Sequence, residues 1–198
     1  MIIQFKQLIS IAMKKVCFVA VFVCAFIFQN QLFSQKFNFL DNTPTDIAYL
    51  RVDDGKEPLV KVVYGRPLKN GNAVFGDQVP YGKIWRTGAN EATEVKFYTD
   101  VKFGNKIVQA GTYILHTIPG ENEWTIILNS NNDTWGTSFY DETKDVVRIK
   151  VPSKKAEELE MFSIAFKQSI KNTYMVLAWD TTRVNIPLET NKLVSAKI

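Results

Sequence analysis

What most restricts the fold of this chain is a period of two. From Ile47 to Pro187, short runs rich in Val, Ile, Thr and aromatic residues recur with turn residues between them. Strands alternate their side chains between two faces, and no segment between the runs shows a convincing long helical period. The runs predict strands at Ile47–Val52, Leu59–Tyr64, Thr93–Thr99, Lys106–Gln109, Thr112–Ile118, Trp124–Asn129, Asp145–Val151, Met161–Ile170, Thr173–Trp179 and Thr182–Pro187. Gly104-Asn105, Pro119-Gly120-Glu121-Asn122 and Lys171-Asn172 have hairpin lengths and hairpin residue types.

Two runs alternate cleanly. Phe162, Ile164 and Phe166 oppose Ser163 and Lys167; Val147, Ile149 and Val151 oppose Arg148 and Lys150. Each reads as a strand with one buried and one wet face. Tyr113–Ile118, Trp124–Leu128 and Tyr174–Trp179 are apolar on both faces, which predicts central strands with a second layer over them. The stretch "SKKAEELE", 153 to 160, reads as a helical turn or two, or a surface loop. About ten hairpin-linked strands predict an all-β domain, a single antiparallel β-sandwich. A closed or partly open β-barrel is the alternative.

The first 34 residues have a different character. Lys14 and Lys15 precede an apolar run, Val16 to Phe28, and small Ser34 ends the segment. This is the pattern of a Sec-type signal peptide, spanning 1–34, or 13–34 if Met13 is the start. The apolar run is shorter than a spanning helix needs. The expected product has a lead-in at 35–46, a β-domain at 47–188 and a tail at 189–198, and it is periplasmic, envelope-associated or extracellular. Both cysteines, Cys17 and Cys24, fall in the leader, so the rest of the chain can form no disulfide or thiolate site. Lys6, Lys14 and Lys15 fall there too, leaving 21 basic against 20 acidic residues. That balance offers no electrostatic footprint for nucleic acid, and no stable membrane span is expected after cleavage.

Several phrases stand in a fixed order: "VVYGRP" (62–67), "VFGDQVPYGKIWRTGANEATEVKFYTDV" (74–101), "AGTYILHTIPGENEWTIILN" (110–129), "WGTSFYDETKDVVRIKV" (135–151) and "TYMVLAWDTTRVNIPL" (173–188). In that order and spacing the chain resembles a family of secreted bacterial proteins known as domain of unknown function 2911, over roughly Leu59 to Pro187. The resemblance implies one secreted or periplasmic β-sandwich-like domain. It carries over no catalytic residue. A basic residue often precedes the family's Phe-Gly pair, where this chain has Ala73-Val74 before Phe75-Gly76.

The chemistry within reach is limited. His116 is the single histidine, so no multi-histidine metal site exists, and no cofactor motif is present. Along its strand His116 shares a side with Ile114 and Ile118, which favours a packed histidine over a catalytic base. Glu91, Glu94, Asp141, Glu142 and Asp145 could supply the carboxylate pair of a glycosidase. Arg66 and Arg86 sit among aromatic and apolar residues; their planar forks suit an anion, or several loop carbonyls at once. Tyr81 and Trp85 would stack beside them, with Asn90 and Glu91 adjoining. Trp135 and Tyr140 form a second aromatic cluster, whereas Trp124 and Trp179 read as core.

These residues support a binding module for a glycan, a small anion or an envelope protein, using Arg66, Tyr81, Trp85, Arg86, Asn90, Glu91, His116, Trp135 and Tyr140. The alternatives are a hydrolase acting through acidic residues and His116, and a structural envelope component with no small ligand.

Overall fold

The computed structural model describes residues 13–15, 43–52, 57–132, 135–169 and 172–190. It divides into two compact units, 1–40 and 41–198. Of the first unit only a helical stretch at 13–15 is described, so the expected leader, with Cys17 and Cys24, otherwise lies outside the described residues. The second unit holds every strand of the described residues.

That unit is all-β. Its strands are β1 (Thr45–Arg51), β2 (Pro58–Gly65), β3 (Thr93–Phe97), β4 (Val101–Phe103), β5 (Lys106–Val108), β6 (Gly111–Ile118), β7 (Glu123–Asn129), β8 (Asp145–Lys155), β9 (Ser163–Gln168), β10 (Thr173–Trp179) and β11 (Thr182–Glu189). A short 3-10 turn, Glu142–Lys144, leads into β8. All ten expected runs contain a strand. Val101–Phe103 is an addition, and β8 continues through Pro152 to Lys155, so the start of "SKKAEELE" is strand rather than helix or loop.

The strands form one antiparallel sheet in the order β1-β2-β3-β6-β7-β8-β11-β10-β9, with the β4–β5 hairpin attached to β11. Of the two expected arrangements, this is the barrel-like one. β8 makes the continuity: its first part pairs with β7, and Ser153–Lys155 pair with Val184–Thr182 of β11. The sheet then curls until its two ends meet. Leu68, beyond β2, bridges to Met161, just before β9, and Phe162 N donates to the Pro67 carbonyl at 3.0 Å. Side chains complete the seam: Tyr64 donates to the Ile164 carbonyl, and Gln168 to that of Arg51.

The inner face holds the core. At one end Phe75, Trp85, Trp124, Phe162 and Trp179 contact one another, mostly edge-to-face, as aromatic quadrupoles prefer. Trp85 and Trp179 instead stack, with ring centres 6.0 Å apart. At the other end Phe97 packs on Phe103 and Tyr113. Consecutive buried residues on β6 and β7, Ile114 to Thr117 and Ile126 to Asn129, show that this part of the sheet is covered on both faces. The outer cover here includes the loop that carries Tyr140.

Candidate functional site

The corner "WRTGAN", 85 to 90, is built by backbone constraints. Trp85 N donates to the Thr117 carbonyl at 2.7 Å, and Thr117 N returns the bond at 3.0 Å. This extends the line of β3 alongside β6. Thr87 and Asn90 then adopt left-handed backbone, φ 57° and 62°. A β-branched residue rarely sits there. Thr87 is held by a bond from its hydroxyl to that of Thr117 at 3.1 Å, while Thr93 Oγ1 donates to its carbonyl at 2.7 Å. Gly65 of "VYGRP" crosses this corner: a Cβ on Gly65 would strike the Ala89 carbonyl, and one on Gly88 would lie 2.9 Å from the Gly65 carbonyl. The two glycine phrases exist because two backbones touch.

The corner determines where its side chains go. Trp85 is 8% exposed and belongs to the aromatic core, with Nε1 bonded to the Gly88 carbonyl, so it offers no stacking surface to a ligand. Arg66 is committed to the seam. It donates from Nε to the Phe162 carbonyl at 3.2 Å, from Nη1 to Asp46 at 3.0 Å and from Nη2 to Ser163 Oγ at 3.1 Å. Tyr81 is exposed and lies against Gly76.

On the outer face the Trp85–Thr117 bridge sets Arg86 across from His116 in register. His116 is 1% exposed, and its ring meets Tyr140 edge-on at 5.1 Å. Tyr140 Oη donates to Asp145 Oδ2 at 2.8 Å and accepts from Arg148 Nη2 at 2.8 Å. Asn129 Nδ2 donates to Asp145 Oδ1 at 2.8 Å. Burial pushes His116 down to about 4, against the opposing effects of Asp145 and the Trp85 backbone. Burial and the bond to Asp145 push Tyr140 up to about 12. His116 Nδ1 and Arg86 Nε are buried without hydrogen-bond partners. The outcome is a polar layer under the 135–144 loop, open to solvent at Arg148, with a neutral histidine buried at its base.

Beside that layer the outer face opens into a cleft of about 540 Å³. Its floor includes a cross-strand row, Val63 of β2, Glu94 of β3 and Ile114 of β6. Glu91 and Trp135 also line it, joined by an antiparallel bridge. Thr45, Tyr64, Gly65 and Ala92 complete the lining. Trp135 is 59% exposed, a wide apolar face at a concave surface.

Of the nine residues singled out in the sequence, the cleft therefore gathers Glu91 and Trp135. His116 and Tyr140 meet beneath the neighbouring loop, with Arg86 beside them in register. Arg66, Tyr81 and Trp85 lie elsewhere. Asn90 supplies the left-handed backbone one residue before Glu91. Glu94, weighed only as one acid among five, is central: it is the outward residue between buried Thr93 and Val95, a position that strand alternation specifies. Among the described residues no cluster of His, Cys, Asp and Glu could hold a metal ion, and no helix is long and apolar enough to cross a membrane.

A family model described as protein of unknown function (DUF2911) matches residues 48–188, and the chain belongs to that family. No curated protein and no solved structure matches the chain.

Proposed function

We propose that this member of the family is a glycan-binding module, exported by its leader and holding a sugar in the cleft between Trp135, Glu91 and Glu94. The observation that carries this reading is the pairing of an exposed indole with two carboxylates on one concave surface. A sugar ring presents C–H groups on its face and hydroxyls around its edge. The indole buries the first, and carboxylate oxygens accept from the second. No cation lines the cleft, so a glycan suits it better than a small anion. The leader pattern at 13–34 supports a periplasmic or extracellular setting, where such ligands are met.

Affinity electrophoresis through gels containing soluble polysaccharides, followed by calorimetry with the retained sugar, tests the reading. Wild type should be retarded by at least one polysaccharide, and Trp135→Ala and Glu91→Gln should not. Retardation of all three proteins alike would remove the cleft from the function.

A second reading rests on Glu91 and Glu94 lining the same cleft: two carboxylates are the minimum for glycoside hydrolysis. His116 takes no part in it, being sealed behind Tyr140. Release of reducing ends by wild type and its loss in Glu94→Gln would favour hydrolysis over binding.

A further inference from the structure

On another part of the outer face, β8 and β11 pair only through Ser153–Lys155 and Thr182–Val184. Beyond Val184 the two strands separate, and β11 pairs instead with β4 at Leu188 and Glu189. The turn between β4 and β5 fills the inner side of the split. Gly104 N donates to the Pro187 carbonyl at 2.8 Å, and the Gly104 backbone packs so closely on Ile149 that a Cβ would clash. The outer side stays open as a cleft of about 750 Å³.

Two properties of this cleft point to the same occupant. The first is its backbone. Ser153 N donates to the Asn122 carbonyl at 2.9 Å, on the β7 side of β8. Backbone groups alternate sides along a strand, so the N–H and C=O of Arg148 and Lys150 point into the split. No strand of the described residues pairs with them there, since β5 pairs only with β4. Pro152, which has no N–H, falls on the same side and ends the donor row.

The second property is charge. Lys106, Arg148, Lys150 and Lys154 line the cleft with Tyr174 and Asn185, and no acid does. Arg148 is engaged by Asp145 and Glu142, and Lys150 by Glu123. Lys106 and Lys154 have no acidic partner among the described residues.

We infer that the split takes an extended acidic segment of a partner protein, added as a strand along the open edge of β8. Strand addition draws affinity from main-chain bonds and selectivity from the side chains around the groove. Here the backbone of Arg148 and Lys150 supplies the first, and Lys106 and Lys154 the second. A bare anion would leave the edge carbonyls unpaired, so the backbone favours a peptide over a charged polysaccharide. The chain's own ends do not suit the site: residues 191–198 hold Lys192 and Lys197 and no acid, and residues 1–42 hold Asp41 as their one acid.

The test uses the full chain and a labelled peptide of about ten residues alternating Glu and Thr, long enough to make one strand. Amide exchange at Arg148 and Lys150 should be fast in the free protein and slow by about tenfold or more when the peptide is present. Fluorescence anisotropy should show binding weakened about tenfold or more by the double change Lys106→Glu with Lys154→Glu. Both lysines are exposed, so melting temperature should confirm that this variant still folds. The same peptide N-methylated at alternate residues should also lose its binding. Unchanged exchange at Arg148 and Lys150, equal binding of the methylated peptide, or binding of a sulfated polysaccharide in place of the peptide would each overturn the inference. The outcome is independent of the Trp135 cleft.

Discussion

Arg66 donates from Nε to the carbonyl of Phe162 at 3.2 Å, and so ties the end of β2 to the segment entering β9, at the opposite end of the sheet order. The same guanidinium reaches Asp46 and Ser163. Hydrogen bonds to charged groups contribute about 1.5–3 kcal/mol each when well made, and partial exposure lowers that. Arg66→Ala should cost about 2 kcal/mol, a fall in melting temperature of roughly 4–8 °C. Calorimetry of the two proteins checks it. No change would mean that the backbone bonds at Pro67 and Leu68, with the Tyr64 and Gln168 side chains, hold the seam without Arg66.

Gly65→Ala should be worse than its size suggests. The added carbon meets the Ala89 carbonyl, a backbone atom that cannot swing aside. Overpacking of this kind costs roughly 1–3 kcal/mol. Gly82→Ala provides the contrast, because Gly82 has open space but a φ of 72°. Its cost is backbone strain, about 1 kcal/mol. Urea unfolding of both variants should place Gly65→Ala below Gly82→Ala; the reverse order would mean that the corner yields.

His116 sets a pH dependence. Its folded pKa of about 4 lies below the usual 6.5. Between those values the unfolded chain binds a proton that the folded chain does not, so stability is full above about pH 6.5 and declines as pH falls toward 4. The shift corresponds to roughly 3 kcal/mol. His116→Phe keeps a ring against Tyr140 and removes the titration. Urea midpoints at pH 7 and 4.5 should differ clearly less in the variant than in wild type. Equal differences would place the acid sensitivity in other groups.

Trp135→Ala should leave the melting temperature within about 1 °C, because most of the indole is already in water. Glycan affinity should drop by roughly tenfold, the order expected for losing a stacking ring. A clear loss of stability would instead make Trp135 a pin for its loop.

The strands were legible because alternation survives in a single sequence. Val101–Phe103 is no shorter than Lys106–Val108 and was missed although the Gly104-Asn105 turn implies a strand before it, and the extension of β8 escaped because Pro152 and the lysines around it resemble a surface loop. The closure was not legible at all. It depends on Leu68 meeting Met161, and neither residue carries a local sign of its partner. Trp85 and Trp135 look alike in sequence, each with a glycine within three positions. What separates them is the Thr117 bridge, which aims Trp85 inward. Glu94 could have been found by applying alternation to β3 as strictly as to β8. In sequence Arg66 suits a clamp and a crosslink alike, and only its partners on the far side of the seam decide between them.

The closing seam bears on how the protein behaves before it is finished. β1 and β9 are the last strands of the sheet order at either side, and they lie far apart in the chain. Contacts of long sequence separation form late and slowly. Until β9 packs beside it, the edge of β1 is uncovered, and a molecule whose seam reopens uncovers both edges. Exposed edges are templates for pairing with other chains. Refolding yield should therefore fall as concentration rises, and a weakened seam, as in Arg66→Ala, should make aggregation begin at lower concentration.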